Sequence, residues 1–339
     1  MKTAVILFNL GGPDSPEAVR PFLQNLFSDP AIIRVPSPIR QMLAWLIAKR
    51  RTPEAQEIYH ELGGGSPILP NTLRQAEALK GILGPDFEIF PVMRYWHPRA
   101  RDVVADLKRG SYDRVVLLPL YPQFSTTTTQ SSYDEWIMEA KRQGLDIPTF
   151  SVGCYPDLRG FVDAQAELLS ESLKKVPTNQ PFRVLFSAHG LPQRVVDAGD
   201  PYAIHVLKGA TLIAEKAGLK PHQWRVSYQS KVGPLKWLEP ATDAEIQRAA
   251  EEGLGIVIVP LAFVSEHSET LVELDIQYAE LAQEVGLPFY QRVATVSDHP
   301  RFIAGLAELV KGALAHRFLP QVPHCDANQA QCLCRRMVG

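Results

Sequence analysis

The sequence lacks the charge excess that marks a nucleic-acid-binding protein. Its 339 residues include 35 Lys and Arg against 37 Asp and Glu, a formal net charge of −2. A nucleic-acid binder is expected to show a basic excess or a basic stripe, so no nucleic-acid partner is predicted. Because 45% of the residues are hydrophobic, the composition also excludes an acidic disordered protein and predicts a folded chain whose length favours two domains.

Long apolar runs are also missing. The longest charge-free stretch, residues 115–133, contains two prolines and a Ser/Thr/Gln tract, whereas a membrane span needs about 20 mostly apolar residues. The N-terminus has a short apolar run without a small-residue cleavage site, which favours a strand over a signal peptide. These features predict a cytoplasmic protein.

Phosphate-binding loops are absent as well. Neither a G-x-G-x-x-G pattern nor a G-x-x-x-x-G-K-[ST] pattern occurs in the chain. A nucleotide-dependent oxidoreductase would therefore lack the usual glycine-rich phosphate cradle.

What the chain does contain is an alternation of short apolar runs with longer helical patterns. Continuous apolar runs are typical of strands buried on both faces of a parallel sheet, so an α/β architecture is predicted. The predicted strands are residues 3–10, 87–93, 114–121, 148–153, 182–189, 224–230, 255–264 and 289–293.

These strands fall into two sets of four that resemble each other. AVILFNLGGP from Ala4 aligns with RVLFSAHGLP from Arg183, and Pro119 aligns with Pro260 in the third strand of each set. We therefore predict two similar Rossmann-like domains, each a four-stranded parallel sheet flanked by helices. The first would comprise residues 1–153 with 299–339, and the second residues 154–298. Ligands of such sheets bind at the carboxyl ends of the strands, so a cleft between the domains is the expected active site.

Titratable side chains follow two strands of the second half. His189 ends the first of these strands, and Glu266, Glu269 and Glu273 follow the third at a spacing that would stack them on one helical face. A buried acidic row beside a histidine can carry protons or attract a divalent cation. The alternatives are a hydrogen-bonded histidine at a strand end and a solvated acidic face at a helix start.

An amphipathic helix is predicted over residues 38–51. Its apolar positions are Ile39, Met42, Leu43, Leu46 and Ile47, with Trp45 beside them and three cations at the end. The pattern favours either a core helix or an apolar lip that contacts a membrane surface or a large apolar ligand.

Three of the four cysteines crowd the C-terminus. Cys325, Cys332 and Cys334 form a C-x6-C-x-C pattern, and Cys154 stands at the start of the second half. Four thiolates can hold either zinc or an iron–sulfur cluster, and this spacing is diagnostic of neither.

Together the motifs resemble those of the ferrochelatases, over nearly the whole chain. The matching stretches are NLGGP (9–13), AKRRTPEAQEIYHELGGGSPI (48–68), MRYWHP (93–98), LYPQFSTTTTQSS (120–132), FSAHGLP (186–192), YQSKVGPLKWL (228–238) and FVSEHSETLVELDIQY (263–278). The resemblance implies two chelatase-type domains and an enzyme that inserts ferrous iron into protoporphyrin IX at the last step of haem biosynthesis.

The resemblance also implies roles for individual residues. The catalytic positions fall on His189, Glu269, Glu273, Glu266 and His267, with the substrate iron at His189 and Glu269. The porphyrin contacts fall on Leu10, Arg94, Tyr95, Ser125, Thr126, Thr127 and Lys231. A subset of bacterial ferrochelatases holds a 2Fe-2S cluster with one internal cysteine and three in the tail, which implies Cys154, Cys325, Cys332 and Cys334 as ligands.

Other functions stay open at this point. They are a coproporphyrin III ferrochelatase, another metal chelatase, and a non-catalytic haem-binding or iron–sulfur sensor protein on the same scaffold. Cobalt chelatases tend to carry a second histidine where Glu269 stands, which counts against cobalt. The oligomeric state, monomer or homodimer, and the extent of membrane association stay open too.

Overall fold

The computed structural model describes residues 1–320 and 330–333, which divide into two compact units. The first unit comprises residues 1–154 and 307–320, and the second comprises residues 155–306 and 330–333. The division falls within the last long helix. Each unit has its own parallel sheet and its own buried core.

The strands and helices alternate along the chain. The strands are β1 (Thr3–Asn9), β2 (Phe87–Met93), β3 (Arg114–Pro119), β4 (Thr149–Val152), β5 (Phe182–His189), β6 (Trp224–Gln229), β7 (Gly255–Pro260), β8 (Tyr290–Arg292) and β9 (Phe318–Leu319). The helices are α1 (Val19–Phe27), α2 (Ser37–Glu61), α3 (Ile68–Leu83), α4 (Ala100–Arg109), α5 (Thr129–Gln143), α6 (Arg159–Leu173), α7 (Gln193–Asp197), α8 (Tyr202–Lys216), α9 (Thr242–Glu251), α10 (Ser268–Leu271), α11 (Tyr278–Glu284) and α12 (Pro300–His316).

The sheet of the first unit has five parallel strands in the order β2-β1-β3-β4-β9. The sequence predicts only four. The fifth strand has two residues, and Phe318 and Leu319 pair with Ser151 and Val152 at the edge. A strand this short leaves no periodic signal in the sequence.

The sheet of the second unit has four parallel strands in the order β6-β5-β7-β8. This order repeats that of the first four strands of the other sheet, with β5 in the place of β1. The predicted α/β fold with two parallel sheets is confirmed. The continuous apolar runs are explained by burial, because every residue of β1 and β7 is buried.

The helix that the spacing of Glu266, Glu269 and Glu273 predicts is interrupted. It consists of the single turn α10, a π-helical turn at Glu273–Gln277, and α11. The hydrogen bond from the Gln277 amide to the Val272 carbonyl spans five residues and marks the wider turn. The 3.6-residue spacing used to stack the acidic side chains therefore does not hold through this segment.

Helix α2 extends the predicted amphipathic segment to 25 residues. Ala44 and Ala48 are buried, whereas Ile39, Met42, Trp45 and Leu46 are between 43% and 57% exposed. This apolar face therefore does not pack in the core of its own unit. Among the described residues, no helix is both long enough and apolar enough to cross a membrane.

Candidate active site

The second unit brings one carboxylate and two histidines together at the carboxyl ends of β5 and β7. Glu269 Oε1 lies 3.7 Å from His189 Nε2, and Glu269 Oε2 lies 3.6 Å from His267 Nε2. His189 is the last residue of β5, and His267 immediately precedes α10. The strand-end placement expected for these residues is what the structure shows.

Backbone carbonyls fix the orientation of both imidazoles. His189 Nδ1 lies 2.6 Å from the Gly190 carbonyl oxygen, and His267 Nδ1 lies 3.1 Å from the Ser265 carbonyl oxygen. Because a carbonyl oxygen only accepts, each Nδ1 must carry the proton that it donates. In the neutral ring, Nε2 is then the basic nitrogen, and in both histidines it faces Glu269.

Glu269 is held as a carboxylate. Burial raises the pKa of its carboxyl group. When the two imidazoles are protonated, the charge of His189 and the hydrogen bond and charge of His267 outweigh burial and lower this pKa to about 2. Side-chain exposure falls from 36% at His189 to 27% at Glu269 and 9% at His267. A group that enters from solvent therefore reaches His189 first.

Glu273 is anchored by four donors. Its Oε1 accepts from the Ser230 amide at 2.8 Å and from the Tyr278 hydroxyl at 3.2 Å. Its Oε2 accepts from Gln229 Nε2 at 2.9 Å and from the Ser230 hydroxyl. Ser230 makes both contacts from a left-handed backbone conformation with φ of 63°, which a serine seldom adopts without a local reason.

A series of hydrogen-bonded, buried polar side chains connects the Glu273 contacts to the sheet of the second unit. Gln229 also donates from Nε2 to the Glu269 carbonyl oxygen at 3.0 Å, and its Oε1 accepts from the Ser187 hydroxyl at 2.8 Å. Ser187 contacts Thr242, which donates to Ser227 at 2.9 Å. Gln229 is not among the site residues predicted from the sequence, although it lies within the YQSKVGP motif.

Glu266 stands apart from the other acidic residues, which corrects the predicted acidic row. It precedes α10, and its Oε1 lies 2.9 Å from Arg292 Nη1 and accepts from the Thr295 amide at 3.0 Å. Burial raises the pKa of its carboxyl group, but the adjacent guanidinium and the hydrogen bonds outweigh that effect and lower it. Glu266 is thus paired with a cation, whereas Glu269 is paired with two imidazoles.

A cavity of about 450 Å³ lies beside the His189 loop within the second unit. Gly190, Gln229, Lys231 and Trp237 are among the residues that line it. The Trp237 ring lies 6.3 Å from the His189 ring, and a Cβ at Gly190 would come within 3.1 Å of the indole. Lys231, a predicted substrate contact, is exposed at the rim of this cavity.

In the first unit, Arg94 and Tyr95 belong to a buried network. Arg94 donates from Nη2 to Asp29 Oδ2 at 2.8 Å and from Nε to the Ser131 hydroxyl at 2.7 Å, and its Nη1 lies 3.4 Å from Glu135. The Tyr95 hydroxyl donates to Asp29 Oδ2 at 2.7 Å, and Tyr95 is fully buried. Both residues were predicted as porphyrin contacts. In the structure, their side-chain polar atoms bind Asp29, Ser131 and Glu135 of the same unit.

The Ser/Thr loop before α5 contains both buried and partly exposed hydroxyl groups. Ser125 and Thr127 are buried, and their hydroxyls lie 2.9 Å apart. Thr126 is partly exposed, and Arg34 Nη2 lies 3.5 Å from its hydroxyl. Arg34 is itself exposed. This cation could not be predicted from the sequence, because it lies in an irregular segment without a motif.

Leu10, the remaining predicted contact, lies in the NLGGP loop, is half-buried and packs against a cluster that includes Val19 and Tyr95. The Ser66 amide donates to the Pro13 carbonyl oxygen at 2.7 Å, which ties residues 63–68 to residues 9–13. A Cβ at Gly12 would come within 2.5 Å of Ser66, so this close approach requires glycine. The GGGSPI segment is therefore packed against the NLGGP loop.

Two of the four cysteines can be described. Cys154 and Cys332 are buried, while Cys325 and Cys334 lie outside the described residues. Within residues 1–320 and 330–333, no three His, Cys, Asp or Glu side chains form a metal-binding group.

Comparison with known proteins gives the family. The family model described as "Ferrochelatase" matches residues 2–314. The ferrochelatase of Phenylobacterium zucineum is 50% identical over 99% of this chain and 98% of its own, and that of Caulobacter vibrioides is 49% identical over 98% of each. The ferrochelatase of Pelagibacter ubique is 43% identical over 98% of this chain and 99% of its own.

Solved structures support the fold. The chelatase SirB from Bacillus subtilis with Fe3+ has a TM-score of 0.53 and 16% identity, and covers 93% of this chain and 97% of its own. The cobalt complex of sirohydrochlorin chelatase SirB from the subspecies spizizenii has a TM-score of 0.52 and 12% identity, with the same coverage. Given the family match and the relatives at 43–50% identity over nearly their whole length, the chain belongs to the ferrochelatase family and inserts iron into a porphyrin for haem synthesis.

Proposed function

We propose that the porphyrin is protoporphyrin IX and that His189, Glu269 and His267 carry out the proton and metal transfers of insertion. The observation that supports the assignment is the position of Glu269 between two Nε2 atoms, at 3.7 and 3.6 Å. This arrangement can accept protons and can present lone pairs to a divalent cation.

The chemistry of insertion explains why such a group is needed. A free-base porphyrin carries two pyrrole N–H protons, which must leave as the metal enters. Nε2 of His189 accepts one pyrrole proton, releases it to solvent and then accepts the second, and the imidazolium formed each time is stabilised by the adjacent Glu269 carboxylate. A site complementary to a distorted macrocycle would favour the transition state over the planar substrate.

Glu273 is proposed as a second carboxylate of the transfer route, behind Glu269. Its oxygens accept from Gln229, Ser230 and Tyr278, whereas the oxygens of Glu269 face the two imidazoles. In the first unit, Leu10 and Thr126 keep their predicted role as porphyrin contacts. Arg34 is proposed in addition as the cation for a propionate, because it is exposed and adjacent to Thr126.

The substrate assignment is tested by anaerobic incubation with Fe²⁺ and either protoporphyrin IX or coproporphyrin III. The two porphyrins differ in the number of propionates, and conversion to haem is followed by the Soret band. We expect faster turnover of protoporphyrin. Faster turnover of coproporphyrin would favour the alternative substrate, and binding of either porphyrin without turnover would favour a haem-binding protein.

We further propose a 2Fe-2S cluster held by Cys154, Cys325, Cys332 and Cys334. Burial of both described thiols is compatible with protected cluster ligands. When bound, the cluster would link the tail to the end of the first unit and close a loop of about 170 residues, which favours a stabilising role by the reasoning used for disulfides. No cysteine lies among the proposed catalytic residues.

Replacement of Cys154 or Cys332 by Ser is expected to bleach the cluster and lower the melting temperature, because each removes a thiolate ligand. Anaerobically purified protein should be reddish-brown and contain about two irons and two acid-labile sulfides per chain. Ser151→Ala, a neighbouring change outside the ligand set, serves as the control. A colourless protein with one zinc per chain would contradict the cluster assignment.

The exposed apolar face of α2 supports a peripheral membrane contact by residues 38–51. Met42 and Leu46 are exposed beside the cations Lys49, Arg50 and Arg51. Lys49 Nζ lies 5.4 Å from the Trp45 ring centroid. One short apolar face with adjacent cations gives weak and reversible binding to anionic lipid.

Leu46→Glu is expected to reduce co-sedimentation with vesicles that contain phosphatidylserine, because it places a negative charge in the apolar face. Raising the salt concentration should have the same effect, since it screens the cations. The matched control is Leu73→Glu, which alters an equally exposed leucine on α3. If Leu46→Glu and high salt leave the bound fraction unchanged, residues 38–51 do not contact the membrane.

A further inference from the structure

One arginine binds both ends of the segment that carries the proposed catalytic side chains. Arg292, the last residue of β8, has a side chain only 13% exposed. Its Nη1 lies 2.9 and 3.2 Å from the two carboxylate oxygens of Glu266. Its Nε and Nη2 donate to the two oxygens of Asp275 at 2.5 and 2.7 Å.

The two carboxylates bracket the site in sequence. Glu266 directly precedes His267, and Asp275 lies two residues after Glu273 in the π-helical turn. Glu266 also accepts from the Thr295 amide at 3.0 Å, just beyond β8. His267, Glu269 and Glu273 are therefore carried by a segment whose two ends are attached to the same edge strand.

The segment has little intrinsic regularity to hold these side chains in place. It consists of a four-residue helix followed by a five-residue π-helical turn. Helices this short are not stable by themselves, and π turns are rare and depend on tertiary contacts. The contacts of Arg292 attach the two ends of the segment, and the contacts of Gln229 with the Glu269 carbonyl and of Ser230 with Glu273 hold the part between them.

The chemistry of the guanidinium suits this task. Its planar set of donors can bind two carboxylates at once. Nε and Nη2 donate to the two oxygens of Asp275, and Nη1 lies against both oxygens of Glu266. A lysine in the same place could offer its charge but not both sets of hydrogen bonds. Arg292 is also distinct from the transfer groups, because within the described part of the chain its ion pairs are with Glu266 and Asp275.

We propose that Arg292 is a positioning residue for iron insertion, and that Glu266 and Asp275 are its counterions rather than proton carriers. This inference rests on the proposed roles of His189, Glu269 and His267. It changes the role expected for Glu266 from a catalytic acid to an anchor. It also assigns a function to Asp275 and Arg292, neither of which the sequence motifs single out.

The test compares Arg292→Gln, Arg292→Lys and Glu266→Gln with the wild-type protein under anaerobic conditions. For Arg292→Gln we expect kcat to fall about tenfold or more, with the porphyrin Kd, measured by fluorescence quenching, changed by less than about twofold. Arg292→Lys should recover part of the loss. Glu266→Gln, which keeps an oxygen to accept from Arg292, should reduce kcat by no more than about threefold.

The matched control is Arg183→Gln. Arg183 is a buried arginine at the start of β5 in the same sheet and donates to Glu252 at 2.7 Å. Its replacement should lower the melting temperature to a similar degree without a comparable loss of kcat. If Arg183→Gln and Arg292→Gln lose kcat equally at equal stability, the effect is general destabilisation and the positioning role is wrong.

A second measurement is independent of turnover. Amide hydrogen exchange over residues 266–278 should be faster by about tenfold in Arg292→Gln than in the wild-type protein, because the end anchors are lost. Unchanged protection there would overturn the inference, as would a loss of kcat in Glu266→Gln as large as that in Glu269→Gln. An inactive wild-type protein would contradict the proposed function instead, and the exchange result would still decide whether Arg292 anchors the segment.

Discussion

Replacement of His189 by Ala is expected to abolish iron insertion while porphyrin binding persists. Deprotonation of the macrocycle needs an acceptor, and Nε2 of His189 is the most accessible basic atom beside Glu269. Loss of such an acceptor typically costs about 100-fold to 10,000-fold in rate. Binding of the porphyrin should be retained, because it depends mainly on burial of apolar surface. The rate is measured anaerobically from the Soret band, and binding from fluorescence quenching.

The control for this variant is His222→Ala, which removes an exposed histidine elsewhere in the second unit. It should leave both turnover and porphyrin binding unchanged. Substantial residual turnover in His189→Ala would remove His189 from the mechanism and favour the alternative of a hydrogen-bonded histidine at the strand end.

Replacement of Glu269 by Gln is expected to cut turnover strongly, by about 100-fold, because Gln carries no negative charge to balance an imidazolium. The pKa of about 2 means that this side chain is a carboxylate at neutral pH. Its negative charge, which Gln removes, is therefore present throughout the working pH range.

Glu273→Gln is expected to reduce turnover less, by about tenfold. Glu273 does not contact either histidine through an ion pair, and its oxygens are bound by Gln229, Ser230 and Tyr278. The amide group of Gln would face these donors, so this variant should also lose about 1–3 kcal/mol of unfolding free energy. Thermal denaturation measures the loss of stability separately from the loss of turnover.

Glu280→Gln on α11 provides the matched control, since this carboxylate is exposed and outside the site. Equal and mild losses of turnover in Glu269→Gln and Glu273→Gln would favour the solvated acidic face over a catalytic role for either residue.

The elements that could be predicted from the sequence are those whose signal is local. All eight predicted strands are present, because strands buried on both faces, such as β1 and β7, require continuous apolar runs. The placement of His189 at the end of β5 follows from the same pattern, since polar residues at strand ends are exposed at the sheet edge.

The features that could not be predicted depend on tertiary contacts. The i, i+3, i+7 spacing of Glu266, Glu269 and Glu273 assumes a regular helix, but the helix begins after Glu266 and widens at Glu273. Arg292 reaches this segment from β8, 17 residues beyond Asp275, and no local pattern indicates that contact. The burial of Tyr95 beside Asp29 is likewise decided by packing between distant segments.

Glu269 is proposed to act in the transfer step and not in porphyrin binding. Rapid mixing of Fe²⁺ and protoporphyrin with the wild-type and Glu269→Gln proteins measures both, with fluorescence reporting porphyrin binding and absorbance reporting metallation in the same experiment. We expect the same binding phase in both proteins and a metallation phase about 100-fold slower in the variant. An unchanged metallation phase, or loss of the binding phase itself, would contradict this role of Glu269.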